Sequence, residues 1–320
     1  MALIVPVAII IPIFNEAESL PSLLEAIRCQ SCQPVEVLFV DAESTDGSAS
    51  IIENSVAKND WGQVRVHVVT VSGSMPGQGR NYGVKATSTD WIAFLDGGID
   101  PDKDWLEQLY QLAMVTDAPA VFGLCYFSGE TDFARAVCAL SYGQASTHPV
   151  IPSTLFKREV FTTIGYFPED LRAAEDIVWI DRFLKKYGRR IVCETARSSY
   201  RHFPTNWMHV FRKWRLFEKN SVMAGVRSRQ HIFYLFAIPL LYGLLFTGTY
   251  IGIILFLLYA IFRGVIDPMR RSARWQWYKG HAISAFIAVP LALWIDIAKL
   301  IGIVNAFGAQ IVRSMSPKKT

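Results

Sequence analysis

The sequence predicts an α/β fold with a mostly parallel, Rossmann-like sheet and flanking helices, followed by a C-terminal α-helical membrane segment. In the first hundred residues, short apolar runs rich in β-branched residues alternate with stretches of helical character, as in a series of βαβ units. Beyond residue 230 the composition changes, and residues 232–262 contain no Asp, Glu, Lys, Arg or His. We therefore predict a globular domain over residues 1–230 and membrane-anchoring helices with a basic loop and tail over residues 231–320.

Four buried strands are predicted in the first hundred residues, each followed by a polar loop. They cover residues 7–13, 35–40, 65–71 and 91–95. A polar turn opens a first helix through about Arg28, and an oxygen-rich loop over residues 41–48 caps the second helix. A Gly- and Ser-containing loop over residues 72–79 precedes a third helix that begins near Arg80. Because parallel strands end at one edge of a sheet, these loops share the edge where such folds bind ligands.

The second half of the globular domain continues this pattern with less regular spacing. Further strands are predicted at residues 120–123, 151–156 and 197–201. A helix over residues 173–187 carries two adjacent carboxylates, Glu175 and Asp176, near its amino end.

The apolar segment over residues 232–262 is too long for one upright membrane span and short for two. Its 31 residues would extend about 46 Å as one helix, against a hydrocarbon core of about 30 Å. A turn at residues 247–249 and the basic loop at residues 263–279 favour a helical hairpin or a re-entrant pair over a single crossing, with both flanks cytoplasmic. In the next apolar segment, Asp296 and Lys299 are spaced to form an ion pair on one helix face.

Just before the membrane segment, aromatic residues alternate with basic ones, as in a helix lying at a lipid surface. They are Trp207, Phe211, Trp214 and Phe217, interleaved with Arg212, Lys213 and Arg215. Such a helix either positions a lipid acceptor or only anchors the chain, and the sequence leaves both open. Removing residues beyond about Gln230 is expected to release a soluble domain.

Charge and cysteine content exclude several other classes of protein. The net charge is only +4, and the basic residues concentrate around the apolar segments, which suits anionic lipid and argues against nucleic-acid binding. Five cysteines, an odd number, indicate a reducing compartment. Cys29 and Cys32 form a lone CxxC, which we interpret as packing because no second pair accompanies it. The amino terminus lacks the basic start and cleavage site of a signal peptide.

Five short motifs, taken in order, resemble those of family 2 glycosyltransferases with the GT-A fold. They are residues 11–16 (IPIFNE), residues 40–47 (VDAESTDG), residues 79–83 (GRNYG), residues 94–96 (FLD) and Glu175–Asp176. The resemblance covers about residues 4–220 and implies an enzyme that transfers a sugar from a nucleotide-sugar donor. A divalent cation, Mg²⁺ or Mn²⁺, then neutralises the diphosphate leaving group.

The resemblance also implies roles for the residues around the donor. Pro12, Phe14, Asn15 and Glu16 belong to the segment that lines the base pocket. Asp41 would hydrogen-bond the nucleoside.

Further residues are assigned to the diphosphate and to the chemistry. Arg80 would contact the base or the diphosphate, and Asp96 would be the ligand of Mg²⁺ or Mn²⁺. Asp176 would be the general base that deprotonates the acceptor hydroxyl, with Glu175 positioning the acceptor or the sugar. His202 would approach the diphosphate or the metal.

The chain departs from the family pattern at two places. Gly97 and Gly98 follow Asp96 where the family often has a second carboxylate, and Asp100 is the nearest substitute. Ala42 and Glu43 replace the usual Asp and Gly, which affects base preference.

The expected function is that of a membrane-anchored inverting glycosyltransferase. Its donor would be a UDP, GDP or dTDP sugar, its acceptor a lipid-linked or cell-envelope glycan, and its location the inner cell membrane, with membrane lipid as a further partner. A sugar nucleotidyltransferase of related fold is an alternative, although no Gly-rich basic loop follows the first strand. A catalytically silent membrane scaffold is a second alternative, because the Asp-x-Asp motif is incomplete.

Overall fold

A computed structural model describes residues 3–58, 61–272 and 280–315 of the chain. The contacts divide the chain into two compact units. The first unit contains residues 1–126 and 147–201, and the second contains residues 127–146 and 202–320. The division predicted at residue 230, between a globular domain and membrane-anchoring helices, stays a prediction.

The first unit is built on an eight-stranded mixed sheet. Its strands are β1 (Leu3–Ile13), β2 (Cys32–Asp41), β3 (Arg65–Thr70), β4 (Trp91–Leu95), β5 (Ile99–Pro101), β6 (Ala120–Phe127), β7 (Ser146–Lys157) and β8 (Ile191–Tyr200), in the order β3-β2-β1-β4-β7-β6-β8-β5. β1 pairs in parallel with β2 and β4, and β2 pairs in parallel with β3. β4 pairs with β7, and β5 with β8, in antiparallel fashion. The four predicted strands therefore form the parallel half of the sheet, and their carboxyl ends share one edge.

Helices connect these strands in the predicted βαβ order. Those of the first unit are α1 (Leu20–Arg28), α2 (Ser48–Ala57), α3 (Pro76–Ala86), α4 (Trp105–Thr116), α6 (Glu159–Ile164) and α7 (Glu175–Tyr187). The predicted start of α3 near Arg80 is wrong by about one turn, since proline fits the first turn of a helix and α3 begins at Pro76. Its glycines permit close packing on the sheet: a Cβ at Gly83 would lie 2.3 Å from Cγ2 of Ile10.

The core of the first unit is rich in aromatic side chains from strands and helices. Its largest buried members are Phe94, Phe122, Phe156, Phe161, Trp179 and Phe183. Trp179 and Phe183 lie one helical turn apart on α7, so the apolar face of this helix packs into the core and fixes the position of its amino end. All five cysteines are free thiols, and Cys32 is buried at the start of β2, so the CxxC is not a disulfide.

The second unit is helical. It contains α5 (Asp132–Ser141), α8 (Trp207–Met223), α9 (Ser228–Phe246), α10 (Tyr250–Ile261), a π-helical turn (Phe262–Ile266), α11 (Asp267–Arg271) and α12 (Ala282–Met315). Within the described residues, three segments are long and apolar enough to cross a membrane: Ser228–Phe246, Tyr250–Arg271 and Ala282–Gln310. The break between α9 and α10 falls at the predicted turn, where the Thr249 hydroxyl accepts a hydrogen bond from the Gly252 amide and caps α10.

The predicted ion pair between Asp296 and Lys299 is wrong. Asp296 instead accepts hydrogen bonds from Arg263, at 2.8 and 3.0 Å, and from the hydroxyls of Tyr234 and Tyr259. The planar guanidinium of Arg263 matches a carboxylate at two points, which a lysine on the same helix cannot do. Lys299 donates to the Tyr234 hydroxyl at 3.2 Å.

The helices that precede residue 230 pack with those that follow it. α12 lies against both α5 and α8, and Trp294 of α12 donates to the backbone carbonyl of Trp207 at 3.0 Å. The sequence-based expectation that a fragment ending at about Gln230 is soluble ignores this packing, because the fragment would expose the faces of α5 and α8 that α12 covers.

Candidate active site

The loops after β1 and β2 are joined by hydrogen bonds at the carboxyl edge of the sheet. The Asn15 amide donates to the Ser44 hydroxyl at 2.8 Å, and the Thr45 amide donates to Oδ1 of Asn15 at 2.9 Å. Asn15 has a φ of 56°, a left-handed conformation that asparagine tolerates better than most residues. The two loops that carry the first two family-like motifs therefore form one rigid surface.

Two aspartates of the loop after β2 have different surroundings. Asp46 accepts from the Ser48 hydroxyl and from the Ala17 amide, and these two bonds lower the pKa of its carboxyl. Asp46 thus ties α2 to the first loop, which is a structural role. Asp41 is 2% exposed and accepts from the Ser44 amide at 3.1 Å. Its proposed contact with the nucleoside stays a prediction.

Arg80 joins two carboxylates that are far apart in the sequence. Its Nη2 donates to Oδ1 of Asp96 at 2.8 Å, and its Nη1 donates to Oε1 of Glu175 at 2.8 Å. Arg80 lies on α3, Asp96 follows β4 and Glu175 begins α7. The fold therefore brings together three of the predicted site residues around one guanidinium.

Burial sets the electrostatics of this triad. Arg80 is 3% exposed, and its guanidinium lies 5.6 Å from the centre of the Phe167 ring. Burial opposes the charge of Arg80, but the two carboxylates outweigh it and raise the arginine pKa. Burial raises the pKa of Glu175, and the neighbouring Asp176 raises it further, against the opposing effect of Arg80. By contrast, the Asp96 side chain is 40% exposed and open to a ligand.

Asp176 lies beside Glu175 in the first turn of α7. The preceding Ala174 has a φ of 69°, and this left-handed residue turns the chain into the helix. The Asp176 carboxylate accepts from the Ile177 amide at 2.8 Å and is half-buried. Carboxylates are stabilised at this end of a helix by the free amides of the first turn. Asp176 is thus anchored by its own helix, next to the residue that Arg80 holds.

Asn81 contributes to the site, although no specific role was predicted for it from the sequence. Its amide nitrogen donates to the Phe167 carbonyl and to Glu169, both at 2.9 Å, and its amide oxygen accepts from the Phe167 amide. Asn81 therefore holds the loop that leads into α7, while the adjacent Arg80 holds the first residue of that helix. The sequence signal was present, since Asn81 follows Arg80 in the third family-like motif.

The first departure from the family pattern has a packing consequence. A Cβ at Gly97 would lie 2.6 Å from Cγ of Glu16, so the Glu16 side chain occupies the space next to the turn after Asp96. Asp100, the nearest substitute for the missing second carboxylate, accepts from the Ser22 hydroxyl of α1 at 2.9 Å.

The surroundings of Asp96 suit a metal ion with one protein ligand, whose other ligands are phosphate oxygens of the donor and water. No group of three or more His, Cys, Asp or Glu side chains able to hold a metal ion occurs in residues 3–58, 61–272 and 280–315. One Asp96 oxygen bonds Arg80, which leaves the other for a cation. One or two carboxylates completed by phosphate oxygens and water are a common arrangement for Mg²⁺. Asp96 therefore fits as a single protein ligand.

The remaining residues predicted to bind the donor are Pro12, Phe14 and His202. Pro12 pairs with Val40 within the sheet, and Phe14 is 47% exposed with the Arg172 guanidinium 5.8 Å from its ring centre. His202 is the first residue of the second unit after β8. The roles proposed for these three residues stay predictions.

Comparison with known families identifies the chain. The model of glycosyl transferase family 2 matches residues 8–173, more than half of the 320 residues. The chain belongs to glycosyl transferase family 2. This match contains four of the five motifs that suggested the family, and its end at residue 173 lies just before α7.

Relatives within family 2 are distant in sequence. The chain is 28% identical to glycosyltransferase AglE of Haloferax volcanii over 190 residues, which are 55% of this chain and 60% of AglE. It is 24% identical to the minor teichoic acid biosynthesis protein GgaA of Bacillus subtilis over 223 residues, 65% of this chain and 49% of GgaA. The chain thus covers less than two thirds of the length of these curated relatives.

A solved structure confirms the predicted GT-A type of fold. The mannosyltransferase PcManGT from Pyrobaculum calidifontis, in complex with GDP-Man and Mn²⁺, aligns with a TM-score of 0.57 over 92% of this chain and 87% of its own. The sequence identity is 15%, so this likeness concerns the fold alone.

Proposed function

We propose that this chain is a membrane-anchored, inverting glycosyltransferase that takes a sugar from a nucleotide donor to a lipid-linked or cell-envelope glycan. The observation that carries the proposal is the convergence of Asp96 and Glu175 on Arg80, with Asp176 adjacent, in a chain of glycosyl transferase family 2. The site therefore offers two carboxylates for chemistry: Asp96, which is partly exposed, and Asp176, which is anchored by its own helix.

The carboxylates divide the chemistry between them. The hydroxyl oxygen of the acceptor attacks the anomeric carbon, and Asp176 accepts the proton of that hydroxyl. At the same time the bond from the anomeric carbon to the diphosphate oxygen breaks. One direct displacement inverts the anomeric centre. Asp96 would hold Mg²⁺ or Mn²⁺, which when bound supplies positive charge to the departing diphosphate. Arg80 bonds both Asp96 and Glu175 and so fixes the positions of these two side chains relative to each other.

A nucleotide sugar is the proposed donor. PcManGT, which shares the fold, was crystallised with GDP-Man and Mn²⁺. Asp41 lies at the end of β2, where it would hydrogen-bond the nucleoside, and the segment from Pro12 to Glu16 would line the base. UDP, GDP and dTDP sugars remain the candidates, and His202 is assigned to the diphosphate or metal.

Three features support attachment to the cytoplasmic side of a membrane. Three described segments have the length and composition of membrane spans. The basic residues at positions 263–279, which were predicted as a loop, begin inside the second segment and precede the third, and they favour a cytoplasmic position. α8, with its alternating aromatic and basic residues, would lie at the lipid surface. GgaA, a relative, is named for teichoic acid biosynthesis, which supports an envelope acceptor.

Donor hydrolysis by the full-length protein in detergent tests the proposal, because slow hydrolysis needs no acceptor. A panel of UDP, GDP and dTDP sugars is incubated with Mn²⁺ and the protein, and the release of free nucleotide is measured.

Asp176→Asn should lose transfer to an acceptor but keep donor binding. Asp96→Asn should lose the Mn²⁺-dependent part of donor binding, measured by calorimetry with and without the metal. Asp181→Asn, an exposed change on the same helix α7, is the matched control and should resemble the wild type.

The outcomes separate the proposal from its alternatives. Wild-type turnover by Asp176→Asn would remove that residue as the base. Formation of a nucleotide sugar from a sugar phosphate and a nucleoside triphosphate would favour the nucleotidyltransferase. Absence of hydrolysis with every donor, in a protein that is folded, would favour the silent scaffold.

A further inference from the structure

The second unit contains an open-sided cavity of about 530 Å³ whose lining is rich in basic side chains. Its lining includes five basic side chains, four from four helical segments and one from the residue before α9, namely Lys213, Arg263, Arg271, Lys299 and Arg227. Two carboxylates, Glu218 and Asp267, also face the cavity. The positive side chains therefore outnumber the negative ones.

Both carboxylates at the cavity have a basic side chain within ion-pair distance. Asp267 pairs with Arg263 at 2.7 Å and with Arg271 at 2.9 Å. Oε2 of Glu218 lies 3.2 Å from Nε2 of His231. Asp296, which does not line the cavity, holds the other side of Arg263. These acidic groups thus serve as partners for neighbouring basic side chains.

Two of the five basic side chains, Lys213 and Arg227, have no carboxylate partner in the described residues, and a third, Lys299, has a long contact with Glu218 besides its bond to the Tyr234 hydroxyl. Within residues 3–58, 61–272 and 280–315, no carboxylate lies within 4.0 Å of Lys213 or Arg227. These two side chains contact only aromatic rings, those of Trp214 and Phe217 respectively, among the interactions found there. Lys299 is 3.9 Å from Oε1 of Glu218. An anion entering the cavity would meet these three side chains.

Lys299 lies where a charge is costly. It is inside Ala282–Gln310, the longest of the three candidate spans, and its side chain is 13% exposed. Ionisable groups in membrane spans are rare and mark binding or transport sites. A structural role as a partner of Asp296 is excluded by the geometry, since Asp296 bonds Arg263 and two tyrosines.

The cavity lies at the ends of the first two candidate spans. Arg227 immediately precedes the first candidate span, and Arg271 is the last residue of the second, on the returning side of the hairpin. These two residues therefore mark the same end of both spans, the level that lipid headgroups occupy. Trp214, Phe217, Phe233 and Phe262 line the cavity beside them.

From this arrangement we infer that the cavity binds the phosphate headgroup of a membrane lipid. Lys213, Arg227 and Lys299 hold the phosphate, and the aromatic side chains contact the first carbons of the lipid chains. Oε1 of Glu218, a fully buried oxygen that accepts no hydrogen bond within the described residues, takes a hydroxyl of the headgroup. Phosphatidylglycerol, which carries both a phosphate and hydroxyls, has the required chemistry. The site is independent of the donor site and does not require that the proposed transfer be correct.

Binding is tested with full-length protein in a zwitterionic detergent, by native mass spectrometry. The probes are phosphatidylglycerol, phosphatidylcholine and free glycerol phosphate. The test variant is Lys213→Gln with Arg227→Gln. The control is Arg212→Gln with Arg229→Gln, which removes two exposed charges from the same helices but outside the cavity lining. A third variant, Lys213→Arg with Arg227→Lys, keeps the charges.

The wild type and the control should prefer phosphatidylglycerol to phosphatidylcholine. The test variant should bind phosphatidylglycerol about 25-fold more weakly, from a loss of about fivefold for each charge. The charge-keeping variant should retain the preference, and equal melting temperatures of all variants would exclude misfolding as the cause.

Two results would overturn the inference. One is an equal loss in the test and control variants, which would indicate general surface charge rather than the cavity. The other is binding of glycerol phosphate as tight as that of phosphatidylglycerol, which would assign the cavity to a soluble phosphate.

Discussion

Replacing Arg80 by glutamine should destabilise the first unit strongly, because it leaves Glu175 buried without its cation. Glu175 is 6% exposed and bonded to Arg80 at 2.8 Å, whereas the Asp96 side chain is 40% exposed and can turn to water. The cost therefore comes mainly from Glu175. Breaking a buried ion pair by removing one partner costs about 3–5 kcal/mol.

Protonation of Glu175 sets an upper limit on this cost. At pH 7, protonating a carboxyl whose ordinary pKa is 4.5 requires about 3.4 kcal/mol, at 1.36 kcal/mol per pH unit. The carboxyl would take up a proton rather than stay charged at a greater cost. We therefore expect Arg80→Gln to lower the free energy of unfolding by about 3 kcal/mol, which corresponds to a melting temperature lower by about 6–12 °C.

A double-mutant cycle gives the sharpest test of this reasoning. The unfolding of wild type, Arg80→Gln, Glu175→Gln and the double variant is followed by circular dichroism at pH 7. The double variant should be more stable than the sum of the two single losses predicts, because Arg80→Gln leaves Glu175 without its cation and Glu175→Gln leaves Arg80 with only one of its two carboxylates. Arg189→Gln, an exposed change just after α7, is the control. Losses that add within about 0.5 kcal/mol would refute the coupling of the two side chains.

Three further outcomes follow from the structure. Burial raises the pKa of Glu175 above 4.5, so the folded protein binds its proton more tightly than the unfolded chain does. The free energy of unfolding of the wild type, relative to that of Glu175→Gln, should therefore fall as the pH rises from 4.5 through the raised pKa. An increase of this relative stability over the same range would mean that the pair with Arg80 dominates. Gly83→Ala should cost about 1–3 kcal/mol in thermal unfolding because its Cβ would meet Ile10 at 2.3 Å, whereas Gly243→Ala, with open space around it, should be neutral or stabilising. A fragment ending at Gln230 should aggregate or stay bound to membranes, since α5 and α8 lose α12; a monodisperse soluble fragment in gel filtration would contradict this.

The sequence by itself determined the parallel half of the sheet. Apolar β-branched runs such as residues 7–13 predict buried strands, and the polar residues after them mark the carboxyl edge. The first two family motifs extend into the loops after β1 and β2, and all five motifs are visible in the sequence, so the family was accessible without coordinates. Likewise, the turn at residues 247–249 was visible because an apolar segment of 31 residues does not fit one membrane span.

Only the tertiary structure decided which charges meet. Sequence spacing suggests partners on one helix, and it favoured Lys299 for Asp296, but helix packing brought Arg263 there instead. In the same way, Arg80 was assigned to the donor on its motif, and the fold placed it between Asp96 and Glu175, 16 and 95 residues away. Local patterns set backbone periodicity through short-range sterics and burial, whereas the partner of a buried charge depends on which elements cross in space.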